Sequence, residues 1–312
     1  MNPPPSEFPV IHDHDGHIDD LISLAMLALA PNVKLRATTL CPADCYLEAG
    51  SLAVEKLLTL LAKTEIEFAR GHDEGMNPFP DKYRKDSNHL PSMRLFDGVK
   101  ETKVKVHPAE NASQFLSRTL SGRGKFNIVE TGPLTNIADA ITQNPKIVSN
   151  INHLWVMGGA IQVPGNVEGE AGHDGSAEWN FYNHPIAAQK VISSGIPITL
   201  IPLDVTNSFP LERRFVEKLQ DQSEFLLSKL AFEGWQIVIR NPENEYCLWD
   251  VLTVAVFLEP SLFRMEKRRI SISTQGASQG RSVEDPSGFE VTIPQPVHRE
   301  EVEQFFLKYF RR

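Results

Sequence analysis

The chain has 312 residues, of which 41% are hydrophobic and 23% charged, the balance of a soluble globular protein with length for a large core. A formal net charge of -9 argues against nucleic acid or an anionic membrane as partner, since either needs a basic patch. No apolar run approaches the roughly 20 residues that span a bilayer, and Met1 to Glu7 has neither the basic start nor the apolar stretch of a signal peptide. Cys41, Cys45 and Cys247 are an odd count and give no disulfide framework, so the expectation is a cytoplasmic enzyme with reduced thiols.

Short β-rich runs alternate with helical patterns from the start. Phe8 to His12 reads as a strand, and Leu21, Leu24, Ala25 and Ala28 mark one face of the helix after it. Lys34 to Leu40 is strand-like, Val54, Leu57, Leu58 and Leu61 form a second helical stripe, and Ile66 to Ala69 is a third strand. Phe126 to Thr131, Leu154 to Met157 and Ile198 to Leu203 follow, each with a turn and most with a helix behind it. Such alternation predicts an α/β fold: a mostly parallel central sheet with helices on both faces, Rossmann-like and open. No linker, repeat or low-complexity tract interrupts it, so residues 1–312 read as one domain.

Two segments break the rhythm. Residues 71–98 are rich in Gly, Pro, Asn and Asp, and residues 234–249 run through Arg240 to Asn244 into Trp249. Long irregular stretches in a compact domain are commonly functional, and both are expected to be lids. The region from Glu266 onward, ending in a helical Glu300 to Phe310, carries no site signal and is expected to close the sheet or an interface.

The densest chemistry lies at Asp13-His14-Asp15-Gly16-His17-Ile18-Asp19-Asp20, four carboxylates in eight residues. Like charges at that density repel unless a cation sits among them. The segment reads as a strand end, a tight turn at Gly16 and a helix beginning near Asp19. That arrangement gathers carboxylates at one sheet edge, beside the positive end of a helix dipole. All-oxygen sites of this kind suit calcium or magnesium, and the spacing is not that of an EF-hand loop. The bland alternative is an acidic loop with an N-cap, which fits Asp19 or Asp20 alone better than all four together.

Other polar residues also follow strands, where open parallel sheets bind ligands. They are Asp44, Thr131 to Asn136, Gly158-Gly159 with Asn166, Glu178-Trp179-Asn180, and Asp204. Singly each fits a turn or cap. Collected on one edge they suit a polyhydroxylated ligand such as a sugar. By spacing alone Trp249, before Asp250 and a helical pattern, reads as a core residue rather than a stacking one.

The residues quoted resemble the calcium-dependent nucleoside hydrolases. The aspartate signature Asp13 to Asp20 carries the likeness, and it recurs at Cys41 to Cys45, Thr131 to Asn136, Met157 to Ala160, Gly165-Asn166, Ala177 to Asn180 and Trp249-Asp250. Within that family the match is closest to the purine-preferring inosine-adenosine-guanosine branch. Pyrimidine-accepting branches commonly carry a His where this chain has Trp249, and the Asn77 to Pro80 loop is similar to that of the purine branch. Two departures stand out: Tyr83 where that branch has Trp, and His17 where it places Asn.

The resemblance implies hydrolysis of the N-glycosidic bond of purine ribonucleosides, with calcium held by Asp15, Asp20, Asp250 and the Thr131 carbonyl. It implies that Asp19, Asp44, Asn180 and Glu178 bind ribose hydroxyls, that Asn166 serves the 5′ side of the sugar, and that Trp179 lines the site. It makes Asp15 the general base and Asp13 a support of the turn. It reverses the reading of Trp249, which with Tyr83 would sandwich the purine and favour protonation of its N7 by solvent. His17 is then a hydrogen-bond donor to ribose or an alternative proton donor, with a pKa raised by its carboxylates. The expected assembly is a homodimer or homotetramer. Rival readings are a pyrimidine or non-specific ribonucleoside hydrolase, a phosphotransferase of the haloacid-dehalogenase type with Asp13 as nucleophile, and a non-catalytic calcium-dependent nucleoside-binding protein. Gly16-His17 fits the phosphotransferase badly, and the retained Asp15, Asp20 and Asp250 speak for catalysis over binding alone.

Overall fold

Residues 8–72, 74–239, 245–296 and 298–312 are described in a computed structural model of the chain. The expectations for Met1 to Glu7 and for Arg240 to Asn244 fall outside them. Nine strands form one sheet: β1 (Val10–His14), β2 (Leu35–Leu40), β3 (Glu67–Arg70), β4 (Phe126–Glu130), β5 (Ile151–Met157), β6 (Ile198–Ile201), β7 (Phe263–Ile272), β8 (Ser282–Glu284) and β9 (Phe289–Pro296). Their order is β3-β2-β1-β4-β5-β6-β9-β7-β8. The first six pair in parallel, and β9 continues the run through Thr199 opposite Thr292. β7 pairs antiparallel with both β8 and β9, so the C-terminal third closes the sheet with a hairpin. The mostly parallel α/β architecture expected from the alternation is the one observed.

β1 pairs with β2 on one side and β4 on the other, so the strand order reverses direction between β1 and β4. Ligands of open α/β sheets bind outside the strand carboxyl ends at such a point. The aspartate signature follows β1 and Thr131 follows β4, so both open onto this crevice. Helix Ile18–Leu29 is apolar nearly all round apart from its first turn, and every residue from Ile18 to Ala28 is buried. A helix of that composition belongs in an interior. It packs against helices Leu226–Val238 and Trp249–Leu258 as well as Leu47–Leu60, which fixes Asp19 and Asp20 to a rigid element.

Parts of both expected lids are built into the scaffold. Gly234 lies inside helix Leu226–Val238, where an added Cβ would stand 2.0 Å from Ile18 Cδ1. Glycine there is a contact requirement between two core helices, so Gly234–Val238 belongs to the scaffold. Residues 71–98 contain helix Asp81–Arg84 and 3-10 turns at Lys85–Ser92 and Arg94–Phe96. Leu90, Met93, Leu95 and Phe96 are buried in the main core, which pins the second half of this segment. Among the described residues no helix is long and apolar enough to cross a membrane.

Candidate active site

β1 extends to His14, two residues beyond the expected end, so Asp13 lies within the strand. Its Oδ1 accepts Thr39 Oγ1 at 2.7 Å and Asn136 Nδ2 at 2.8 Å. Burial raises the Asp13 carboxyl to about 6, against the pull of those hydrogen bonds. Glu130 lies against it and is itself pushed well up, by burial first and then by Asp13, while its Oε1 accepts the Gly132 N–H at 3.0 Å. Asp13 is thus fixed between β2 and the helix that carries Asn136. The buried carboxyl beside it gave no sequence signal, because Glu130 reads only as the end of a strand.

The turn after β1 needs Gly16. Its φ is +83°, and a Cβ there would lie 2.7 Å from Leu40 Cδ1 and 2.9 Å from Cys45 Sγ. The turn brings Asp15 round to face the helix it precedes. Gly132 admits Asp15 from the other side: a Cβ at Gly132 would stand 2.9 Å from the Asp15 backbone nitrogen. Helix Ile18–Leu29 then starts with Asp20 Oδ2 accepting the His17 N–H at 2.9 Å. Asp20 Oδ1 accepts Thr131 Oγ1 at 2.6 Å, which ties the start of this helix to the residue that follows β4.

Asp250, in the first turn of helix Trp249–Leu258, joins from the far side. Carboxylate oxygens of Asp19, Asp20 and Asp250 lie within 4.8 Å of one another, all buried. Burial raises Asp19 to about 7, with Asp20 as the next cause. Asp250 is pushed well up by burial and then by Asp19, Asp20 and Asp15. Asp15 is raised by burial and by contact with Asp20, and its Oδ2 accepts the Asp44 N–H at 3.3 Å. Asp44 rises for the same reasons, with Arg84 opposing. This is the environment a hard cation relieves, because buried like charges either take up protons or gather a positive partner. The all-oxygen donor set suits calcium or magnesium chemistry. The tightest triad includes Asp19, whereas Asp15, the expected ligand, lies just beside it against Asp20.

The Thr131 carbonyl faces the same space and accepts Asn180 Nδ2 at 3.3 Å. Asn180 is positioned by Glu178, the N-cap of helix Trp179–Asn183. Glu178 Oε1 accepts the Asn180 N–H at 2.8 Å, and Oε2 accepts Gly159 at 2.9 Å and Phe181 at 3.2 Å. Burial still lifts Glu178 to about 7. Asn166 Oδ1 accepts the Trp179 N–H at 3.0 Å, so the loop carrying Asn166 is fastened to the same helix start. Asp204 stands apart: it accepts the Ile161 and Gln162 N–H groups at 2.8 and 2.7 Å and orders the loop after β5.

The aromatic residues divide into two groups. Trp179 packs with Phe79 at 4.7 Å and meets Tyr83 and Tyr182 edge-on at 5.5 Å each. Lys82 Nζ lies 4.6 Å from the Tyr83 ring centre. Trp249 packs instead with Met157, Ala160, Leu203 and Val163, and Tyr246 meets its ring edge-on at 4.6 Å. Tyr246 is a site residue that the sequence reading passed over. Its hydroxyl neighbours Asp19, and burial followed by the Asp19 charge pushes its pKa well up. An isolated tyrosine in a polar loop has no periodicity to mark it.

His17 departs from expectation. Burial lowers its pKa, overriding the opposite pull of Asp20 and Asp86, where the carboxylates were expected to raise it. Its Nδ1 lies 4.0 Å from both Asp19 Oδ1 and Asp44 Oδ2. Desolvation of a fully enclosed ring outweighs carboxylates at that distance.

The fold and this carboxylate crevice define the class. The family model described as inosine-uridine preferring nucleoside hydrolase matches residues 10–304. The chain belongs to that family, a group of glycosidases acting on ribonucleosides. It is 28% identical over 291 residues to the pyrimidine-specific ribonucleoside hydrolase RihA of Escherichia coli, covering 89% of this chain and 88% of the relative. It is 26% identical to the probable uridine nucleosidase 2 of Oryza sativa subsp. japonica, covering 90% and 83%. Among solved structures, the inosine-uridine preferring nucleoside hydrolase of Bacillus anthracis superposes with a TM-score of 0.91 at 32% identity, covering 97% of this chain and 99% of that one. The purine-preferring ribonucleoside hydrolase of Gardnerella vaginalis shares the fold, with a TM-score of 0.79 at 24% identity over 97% and 98%. Family membership sets aside the phosphotransferase reading.

Proposed function

We propose that the chain hydrolyses the N-glycosidic bond of ribonucleosides in a calcium-dependent reaction and prefers purine nucleosides. The observation that carries the cation reading is the buried cluster of Asp15, Asp19, Asp20 and Asp250, which meets Thr131 and, among the described residues, forms no ion pair with Lys or Arg. Asp15, Asp20, Asp250 and the Thr131 carbonyl would hold the ion, leaving Asp19 for ribose. When bound, calcium would neutralise these carboxylates, coordinate ribose hydroxyls and acidify a water.

Asp15 is the group that takes a proton from the attacking water, being a carboxylate fixed by the Asp44 N–H and the Gly16 turn. Asp19, Asp44 and Asn180 orient the ribose hydroxyls, with Glu178 holding Asn180 in place. Asn166 addresses the 5′ side of the sugar. As the bond to the base breaks, positive charge develops on the sugar, and the surrounding carboxylates stabilise it electrostatically. Trp249 supplies a flat apolar wall for the base, braced by Tyr246. Attraction between an aromatic face and a partly cationic ring is worth about 0.5 to 2 kcal/mol, so stacking contributes to leaving-group activation without carrying it. Tyr83 reaches the base from the opposite side only by leaving its edge contact with Trp179. Such a motion would give a lid role to residues 74–83, ahead of the buried Leu90 to Phe96 anchor.

A pyrimidine preference is the second reading, and the pyrimidine specificity of the RihA relative favours it. Trp249 favours purines, because its larger stacking partner gains more than a pyrimidine does. Release of ribose from inosine and from uridine, each in calcium and in excess chelator, separates the readings. Calcium-dependent cleavage favouring inosine supports the proposal. Faster cleavage of uridine keeps the hydrolase and discards the purine preference. No ribose from either nucleoside overturns the catalytic reading in favour of a nucleoside-binding protein.

A further inference from the structure

We infer that His12, in the middle of β1, is a positioning residue that sets the direction of the Thr131 hydroxyl and through it the Asp20 carboxylate. The inference rests on the cation reading above and names a determinant of it that lies inside the sheet. His12 is fully buried. Its Nε2 stands 3.0 Å from Thr131 Oγ1, and that same oxygen donates to Asp20 Oδ1 at 2.6 Å.

Proton counting fixes the direction of the relay. A threonine hydroxyl has one proton, and here it points at Asp20. Thr131 Oγ1 can therefore only accept from His12, which requires the proton on Nε2. The other tautomer would set Nε2 against Asp20 in competition for a single proton. It would also leave an N–H at Nδ1, an atom with no hydrogen-bond partner among the described residues. A buried orphan donor is costlier than a bare nitrogen lone pair. The His14 ring, stacked 4.7 Å away at 21°, closes the remaining space and holds the His12 ring in its plane.

The consequence falls on Asp20. Its Oδ2 is held by the His17 N–H and its Oδ1 by Thr131, so both oxygens are oriented before any cation arrives. The Thr131 backbone is fixed separately, its N–H donating to Asp13 O at 2.9 Å, which leaves the side-chain rotamer as the free variable that His12 removes. Groups that hold a ligand from behind in this way alter metal affinity by about 10 to 100-fold when removed.

The test is calcium titration calorimetry on the full chain, stripped with chelator, with apo melting temperature measured alongside. His12→Leu keeps the volume and removes the donor; its calcium affinity is expected to fall about 10-fold. His12→Gln places an amide N–H where Nε2 stands and is expected to stay within about threefold of the unaltered chain. His12→Asn falls short of Thr131 and should resemble His12→Leu, so the Gln and Asn pair decides the matter even if His12→Leu does not fold. Thr131→Val combined with His12→Gln should bind no better than Thr131→Val with His12→Asn, because the relay is already cut. Equal affinity in all three His12 variants, or a His12→Gln as weak as His12→Asn, overturns the inference. An unaltered chain that binds no calcium overturns the cation reading itself, and this one with it.

Discussion

Two sets of charged groups in this molecule place their carboxylates in opposite surroundings. Glu67 on β3 sits among Arg36, with which it forms a close ion pair, Lys105 at 3.5 Å and His107 at 2.8 Å. Its pKa is lowered by Arg36 and these neighbours in spite of partial burial. Asp15, Asp19 and Asp250 face mainly one another, and burial pushes each of them up. The first cluster is complete as folded and contributes to holding β3 in the sheet. The second is stable only with protons, a cation or a polyol among its members. A protein keeps such an arrangement where it binds something, and the contrast marks the crevice as the working end.

Substitution within the crevice should give the largest effect. Asp250→Asn is expected to lower kcat/KM for ribose release on the order of 10³-fold, while raising the melting temperature of the chelator-stripped protein. Removing one of several crowded carboxylates stabilises the empty fold, with a shift of about 2 to 4 °C for each kcal/mol. A drop in both quantities would place Asp250 with Glu67 as a structural residue. Asp19→Asn and Asp15→Asn sharpen the assignment of ligands: loss of calcium affinity should be the greater for Asp15→Asn, and the reverse order would put Asp19 in the ion's shell.

Calcium itself is expected to stabilise the protein by about 2.7 kcal/mol at a hundredfold excess over Kd, read as a melting shift that Asp250→Asn abolishes. Trp249→Ala should reduce turnover of inosine about tenfold more than that of an activated nitrophenyl riboside. Equal losses on both substrates would remove Trp249 from leaving-group activation.

Glu67→Gln supplies the smallest effect and the control. It should cost about 1 to 2 kcal/mol of stability at pH 7 and leave ribose release unchanged. Because the folded pKa of Glu67 lies below its usual 4.5, the stabilisation is present above that value and lost as pH falls through the folded pKa. The stability difference between the unaltered chain and Glu67→Gln should therefore be constant from pH 7 to about 5 and shrink toward pH 3. A difference that persists at pH 3 would mean that packing, not charge, is what Glu67 contributes.

Most of the parallel sheet was legible because strand and helix periods differ and because each strand ends in a polar turn. The aspartate signature was legible for a related reason: four carboxylates in eight residues are more than a capped acidic loop needs. What escaped were features set by long-range contact. Gly234 looks like a loop residue until Ile18 is seen against it, and Glu130 looks like a strand end until Asp13 is placed beside it. The pKa of His17 was expected to rise among nearby carboxylates, but sequence spacing does not register how completely the ring is enclosed, and burial lowers it. Tyr246 and His12 owe their places at the site to the packing of helix Trp249–Leu258 and to the pairing of β1 with β4.

The central claim is that the crevice carboxylates form one cation site on which the chemistry depends. The most direct test is calcium titration of the chelator-stripped full chain, paired with ribose release in the same samples. One ion per chain, with activity returning in proportion to occupancy and neither seen in Asp250→Asn, is the predicted result. Full ribose release in excess chelator, with no calcium taken up, would contradict it.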